Sequence, residues 1–300
     1  MRMIHKTVLL HEAIDGLEIK NGDIFVDGTL GGGGHFEEVA KRFGDSVVMI
    51  GIDLDPDAII RTKERLLSYK TNSQYVQDSF RNISKILESI NIEKVDKILL
   101  DIGLSSNQFE ESGRGFSFQR DEPLLMSFKK YLDKNDLTAR EIVNTWDLEN
   151  ISAILKGYGE EDFSWKIAKA IVARREIKPI ETTFDLVEII KTATPKWYHT
   201  RRIHPATKTF QALRITVNDE IESLKQGIRD GFKSLSVGGR LAVISFHSIE
   251  DRAVKQFFKK VVDEEVGRNL FKKPLIPTDK EIEANPRSRS AKLRIIEKIK

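Results

Sequence analysis

The stretch Ile24-Phe25-Val26-Asp27-Gly28-Thr29-Leu30-Gly31-Gly32-Gly33-Gly34-His35 decides the fold. An apolar run ends in a carboxylate, small or flexible residues follow, and a helical stripe of Phe36, Val39, Ala40 and Phe43 begins at once. A buried strand, a glycine turn and a helix in direct succession bring backbone N–H groups close to a ligand, and glycine permits both the turn and the approach. A flexible linker is glycine-rich too, but it rarely leaves a buried strand and enters a helix without a break. Consecutive glycines also cost conformational entropy in any fold, so a run of them asks for a reason.

The same rhythm continues outward. Val47 to Asp53 is a second apolar run ending in a carboxylate, a buried parallel strand. Asp55-Pro56 then caps a helix expected to reach about Lys70, with Ala58, Ile59, Leu66 and Leu67 inward. Tyr75 to Phe80 is a third strand and its exit, Ile83 to Ile90 a helix, and Val95 to Asp101 a fourth strand ending in acid. Ahead of the first strand, Thr7 to Ala13 makes a short helix or cap. Strand–helix alternation of this kind predicts an α/β protein with a doubly wound, mostly parallel sheet. From Ile102 to Arg202 the rhythm breaks: Phe163, Ile167, Ala170 and Ile171 mark one amphipathic helix, and Phe184, Val187 and Ile190 another that Pro195 stops. Residues 105–202 are therefore expected to form a helical insertion in a discontinuous domain of 1–104 and 203–300. Sheet rhythm resumes with a helix through Ile221, Leu224, Ile228 and Leu235, for which Gly238-Gly239 is the expected stop. Next come a strand over Leu241 to Phe246, a helix over Glu250 to Val262, and a tail, Ala291 to Ile299, that alternates like an antiparallel edge strand.

Composition narrows the chemistry. The 300 residues carry Lys+Arg 49 against Asp+Glu 46, a net charge of +3, so any surface for nucleic acid must be local. No cysteine is present, which excludes disulfides, thiolate metal sites and cysteine nucleophiles and fits a reducing cytoplasm. No run approaches the ~18–20 apolar residues of a membrane span. The histidines show no ligand spacing with Asp or Glu on a helix face, so no metal site is expected.

In an open α/β sheet the ligand lies outside the carboxyl ends of the strands. Asp27, the glycine run, Asp53, Asp78 to Phe80, Asp101 and Phe246-His247 stand at those ends. Three acids and an aromatic ring favour a ligand with hydroxyls, a cationic group and a flat base. Asp53 is placed to accept from both hydroxyls of a ribose. The Gly-Lys-Ser/Thr of a phosphate-binding loop is absent, and the dinucleotide spacing Gly-x-Gly-x-x-Gly arises here only from the glycine run. S-adenosylmethionine fits best, because its sulfonium and ammonium suit nearby carboxylates that would repel pyrophosphate.

Seven segments carry a resemblance: Asp27 to His35, Leu100 to Ser106, Arg114-Gly115-Phe116-Ser117-Phe118, Gly157 to Glu161, His204 to Arg214, Ser245 to Asp251 and Asn285 to Ser290. In this order they resemble the motif set of the bacterial 16S ribosomal RNA cytosine-N4 methyltransferases (RsmH, also called MraW), from Thr7 to Arg294. The resemblance implies a class I S-adenosylmethionine-dependent methyltransferase fold, Rossmann-like, with an inserted helical domain for RNA recognition. It implies methyl transfer to N4 of the decoding-centre cytidine at position 1402 of 16S rRNA in the small ribosomal subunit. It also implies cofactor contacts at Gly33, Gly34, His35, Asp53, Phe80, Asp101 and Gln108. Two departures stand out: Asn107 where the family has proline, and Glu122-Pro123-Leu124-Leu125-Met126-Ser127 where it reads Gly-Pro-Leu-Asp-Met-Arg.

The residues bear on the reaction by themselves. Methylation at C5 of a pyrimidine needs a thiolate, which this chain lacks, whereas an exocyclic amine needs only acceptors for its protons and an aimed lone pair. Asp101 is the first candidate catalytic group, as acceptor from the amine or as holder of the methionine part of the cofactor. His247 is the second, with helix capping at Glu250 as its structural alternative; His35 is expected to fix the loop. RNA contacts are expected at Arg114, Lys166, Lys169, Arg201, Arg202, His204, Lys208 and Arg214, with Arg174 and Arg175 around the first insertion helix and Arg287 and Arg289 before the last strand as further basic residues. Phe116, Phe118 or Trp197 would stack an extruded base. A homodimer is compatible with all of this. The competing readings are an NAD-dependent oxidoreductase on the same loop and a non-enzymatic RNA-binding assembly factor.

Overall fold

In the computed structural model, residues 6–103 and 112–300 are described, and the chain divides into two units. Unit 1 comprises Met1–Ser105 and Ile221–Lys300, and unit 2 comprises Ser106–Glu220.

Unit 1 holds one seven-stranded sheet in the order β3-β2-β1-β4-β5-β7-β6. The strands are β1 (Ile24–Asp27), β2 (Val48–Asp53), β3 (Asn72–Gln77), β4 (Val95–Asp101), β5 (Leu235–Ser245), β6 (Gly267–Asn269) and β7 (Lys292–Lys298). The first five run parallel and β7 is antiparallel to both neighbours. Helix α1 (Leu10–Leu17) precedes β1, and α2 (Gly34–Phe43), α3 (Pro56–Arg65) and α4 (Ile83–Ser89) connect the first four strands. The near-continuous apolar strands are what burial on both faces requires, and each face has its own core. Phe25, Phe36, Met49 and Leu99 lie in one, and Val26, Ile50, Ile98 and Leu224 in the other. Chain order reverses at β1, whose neighbours are β2 on one side and β4 on the other, so the crevice falls beside Asp27 and Asp101.

Unit 2 is helical: α5 (Ala139–Thr145), α6 (Leu148–Gly159), α7 (Ser164–Arg175), α8 (Thr183–Ala193), α9 (Lys196–His199) and α10 (Thr207–Val217). Thr138, Asp147 and Thr182 cap α5, α6 and α8 with their side chains, and Thr182 forms a capping box with Asp185. Among the described residues its only β-type pairing is an isolated bridge between Pro123 and Thr182. The expected boundary at 202/203 lies instead after Glu220. The reason is α10, which the chain ties to α6: Gln211 Nε2 donates to Tyr158 O at 3.0 Å and Lys208 Nζ to Glu160 O at 2.6 Å. The last helices, α11 (Glu220–Ser234), α12 (Ser248–Asp263) and α13 (Asp279–Ala284), return to unit 1 from Ile221 onward.

Several expectations are corrected. Helix α3 ends at Arg65, five residues short of Lys70, and Leu67 is 84% exposed rather than inward, because the chain has already left the helix and only Leu66 reaches the core. Gly238-Gly239 does not stop α11: β5 begins at Leu235, and the glycines sit in its first turn of pairing, where the register against β4 shifts. The tail strand β7 is not an edge. The three-residue β6 covers it, which leaves only a short edge exposed. Phe184, expected inward, is 47% exposed, because Leu186, Val187, Ile189 and Ile190 supply the buried stripe of α8.

Candidate active site

The glycine run leaves β1 and turns into α2 with Gly33 as N-cap at φ 75°, a left-handed conformation that a side chain would resist. A Cβ on Gly33 would stand 2.7 Å from Thr62 Oγ1, and one on Gly34 would collide with Thr7 Oγ1. Thus α3 supports the loop from one side, and a strap of residues 6–9 crosses it from the other. Val8 O lies 3.1 Å from His35 Nε2. The strap is pinned by the far end of the chain: Leu9 N donates to Glu281 Oε1 at 2.8 Å and Asn285 Nδ2 donates to Lys6 O at 3.0 Å. His35 is buried and ties strap to loop, the loop-fixing place expected for it; its Nδ1 lies 3.8 Å from Asp101 Oδ2.

Three carboxylates line the crevice of unit 1. Asp27 is fully buried, and its Oδ1 accepts from Thr29 N at 3.0 Å. Burial pushes its pKa up to about 7, the Thr29 N–H opposes this, and the charge of Asp53 adds to it. Asp53 Oδ2 accepts from Gly31 N and Oδ1 from Asp55 N, both at 2.8 Å, so this acid shapes the loop as well as facing the crevice. Burial raises it to about 6 against those two hydrogen bonds. Asp101 is the most perturbed. Burial, then the charges of Asp27 and Glu250, push it up to about 8, and among the described residues its buried Oδ1 has no hydrogen-bond partner. Thr29 braces the pair, its Oγ1 accepting from Asp101 N at 2.7 Å. Sequence reasoning passed over Thr29 and Thr62, although a small hydroxyl residue two positions after a strand-end Asp is a usable signal. The strap left no such signal, since its partners lie 272 and 279 residues away.

Phe80 is half-buried: its ring stands 2.4 Å from where a Cβ on Gly227 would be, and it leads the short 3-10 turn Phe80–Asn82. Gln108 lies outside the described residues. His247 is the N-cap of α12, with Nδ1 accepting from Glu250 N and Glu250 Oε2 accepting from Phe246 N at 2.8 Å. That is the capping geometry weighed as its alternative. Its Nε2 lies 3.0 Å from Glu250 Oε1 without hydrogen-bond alignment.

In unit 2 the predicted RNA-contact residues divide. Arg214 makes a bidentate pair with buried Glu220, at 2.8 and 2.9 Å, which occupies the fork that a phosphate would need. Arg114 Nη1 donates to Phe128 O and Arg175 Nη1 to Val143 O and Trp146 O, so both brace loops and helix ends. Phe116 is 4% exposed and stacked on Phe128, which removes it as a platform for a base. Lys166, Lys169 and Arg202 are exposed, and Lys208 is held at Glu160 O. Arg201 lies over Trp197, 4.7 Å from its centroid, and Trp197 keeps 55% of its surface exposed. His204 stacks on Phe118 at 4.4 Å with the rings 4° apart. Burial, with Lys191 and His199 adding to it, lowers the His204 pKa, so the ring is neutral at pH 7. This stack lines a cavity of about 620 Å³ with Gln119, Phe184, Val187, Glu188, Lys191 and Thr192. Arg287 and Arg289 are exposed on the 3-10 turn Pro286–Ser290 of unit 1.

A family model described as the MraW methylase family matches residues 2–299. The ribosomal RNA small subunit methyltransferase H of Clostridium botulinum (strain Kyoto / Type A2) is 46% identical over 314 aligned positions, covering 100% of both chains. The protein of the same name from Clostridioides difficile (strain 630) is 42% identical, again over 100% of both.

Proposed function

The chain belongs to the MraW methylase family, and on that premise we propose that it methylates the exocyclic N4 of a cytidine in small-subunit ribosomal RNA, the decoding-centre cytidine at position 1402, in the cytoplasm. The enzyme is an S-adenosylmethionine-dependent ribosomal RNA methyltransferase. The observation that carries the chemistry is the half-buried Asp101 carboxylate at the switch of strand order, raised to about 8 and with its buried Oδ1 unpartnered among the described residues. An acceptor held in that state suits a site built to receive a cation and N–H donors.

The residues of unit 1 fit S-adenosylmethionine. Gly33, Gly34 and His35 present backbone at a helix N-terminus, Asp53 offers its remaining lone pairs to ribose hydroxyls, and Phe80 offers a ring face to the base. Bound there, the cofactor supplies an electrophilic methyl group on sulfur. Everything else falls to the protein. Asp101, with the carbonyls of Ile102 and Gly103 after it, accepts the amine protons and holds the nitrogen lone pair out of conjugation and aimed. Positioning of this kind is worth several kcal/mol, ~7–11 in the best intramolecular cases. His247 is the second candidate to take the proton. No covalent intermediate is needed, in keeping with a chain without cysteine.

RNA is met by local charge and aromatic surface in unit 2. Trp197 with Arg201 and the cavity walled by Phe118 and His204 offer stacking faces, while Lys166, Lys169, Arg202 and Lys208 offer cations. The test is transfer of tritiated methyl from S-adenosylmethionine to small subunits or their RNA, followed by nuclease digestion and mass spectrometry. N4-methylcytidine at one site is expected; no incorporation, or label at another atom, overturns the proposal.

A further inference from the structure

Helix α3 carries a side chain that the site described so far does not use. Two of its residues touch the glycine run: Thr62 stands beneath Gly33, and Arg65 Nη1 donates to Gly32 O. Arg61 adjoins the first and precedes the second by one turn, so it shares their face of the helix and lies nearer the end that Asp53 delivers. The residue is half-buried, its Nε and Nη2 are fully buried, and among the described residues neither has a hydrogen-bond partner. The contrast with other arginines of unit 1 is sharp. Arg42 pairs with Asp15 and Glu38, Arg65 with Glu37, Arg81 with Gln226, Arg240 with Glu297 and Arg294 with Asp251. Asp53 is close enough for the Arg61 charge to lower its pKa, yet both of its oxygens are held by backbone N–H groups, and no ion pair forms. Buried guanidinium nitrogens without acceptors are costly, and a fold has little reason to keep them unless something else accepts from them.

We propose that Arg61 is a further cofactor-binding residue, whose guanidinium donates to the ribose oxygens of the nucleoside whose hydroxyl protons Asp53 accepts. A hydroxyl has one proton to give and two lone pairs to fill. A carboxylate alone satisfies the first need of a vicinal diol, and the planar fork of an arginine on the same side satisfies the second across two neighbouring oxygens. Asp53 and Arg61 therefore read the sugar as a pair, one as acceptor and one as donor. This rests on the reading that the glycine loop holds S-adenosylmethionine.

Arg61→Met keeps the apolar stem and removes the donors; Arg61→Lys restores a charge without the fork. The full-length proteins are melted with and without S-adenosylhomocysteine, and its Kd is measured by titration calorimetry. Without ligand, Arg61→Met is expected to melt at or above the wild-type temperature, since it loses two buried donors that lack acceptors. With ligand, its stabilisation shrinks and Kd rises tenfold to a hundredfold, the range for a hydrogen bond to a charged group, with Arg61→Lys between. The 2′,3′-dideoxyribose form of the ligand should bind both proteins with nearly equal Kd, because the coupled oxygens are gone. Equal Kd values of wild type and Arg61→Met for the parent ligand overturn the assignment. So does a ligand-free Arg61→Met protein that melts lower with Kd unchanged, the signature of a structural arginine. Failure of the wild type to bind S-adenosylhomocysteine would instead sink the cofactor reading itself.

Discussion

Asp101→Asn is the most informative perturbation, because it changes a charge and almost no volume. The folded protein holds the Asp101 proton to about pH 8 against an ordinary value of 3.8. The folded state thus binds the proton more tightly than the unfolded chain, and this carboxyl favours folding most below pH 4. The favour is lost progressively as pH rises to about 8. Each pH unit in that window is worth about 1.4 kcal/mol, so at pH 6 the ceiling is about 3 kcal/mol. A side chain 26% exposed is partly screened, and on the order of 1–2 kcal/mol is the working expectation. Asparagine has nothing to ionise. In urea titrations of the ligand-free proteins from pH 4 to 8.5, the variant should match the wild type at pH 4, pull ahead steadily, and hold its lead above pH 8. Asp27, whose own rise is driven first by burial and which in turn raises Asp101, titrates with it, so the wild-type profile will be broader than one group would give. The same variant should lose about 10²-fold or more in methyl transfer, the scale of a positioned acid–base group, or else bind the cofactor more weakly. Parallel pH–stability curves would refute the perturbed carboxylate, and unaltered turnover together with unaltered cofactor affinity would refute both of its roles.

S-adenosylmethionine should bind more tightly at pH 8 than at pH 6, because Asp27, Asp53 and Asp101 are raised to about 7, 6 and 8 and lose their charge as pH falls. S-adenosylhomocysteine, without the sulfonium, should show a shallower dependence in the same calorimetric series. Gly34→Ala should weaken cofactor binding and cost about 1–3 kcal/mol of stability through its clash with Thr7, and a second change, Thr7→Gly, should recover most of both, as read by thermal melts. Arg214→Met should lower stability by up to about 3–5 kcal/mol, because buried Glu220 loses its bidentate partner. A loss of RNA affinity at unchanged stability would show that the pair is not what Arg214 is for. Arg201→Ala with Lys166→Ala should reduce the dependence of log K for RNA on log salt by about one to two units; an unchanged slope removes both from the phosphate contacts.

Local order was legible along the chain because it is written in near neighbours. The apolar runs ending at Asp27, Asp53 and Asp101 each became a parallel strand with its acid at the crevice, and the glycine run became the turn into α2. Those features depend on a period of two or a few residues, on caps and on backbone freedom, all readable within a dozen positions. Errors arose where a residue's fate depends on what meets it in space. Gly238-Gly239 looks like a helix stop until β4 is there to pair with β5, and Ala291 to Ile299 looks like an edge until β6 covers it. Arg214 and Phe116 match an RNA surface by type alone, but Glu220 and Phe128 claim them first. Residue types and their order carried the catalogue of candidate groups; pairing across long loops settled which were left with hydrogen bonds still to make. Burial multiplies the cost of an unmet partner, so Asp101 and Arg61 acquire their chemical tension only when the folded chain excludes water around them.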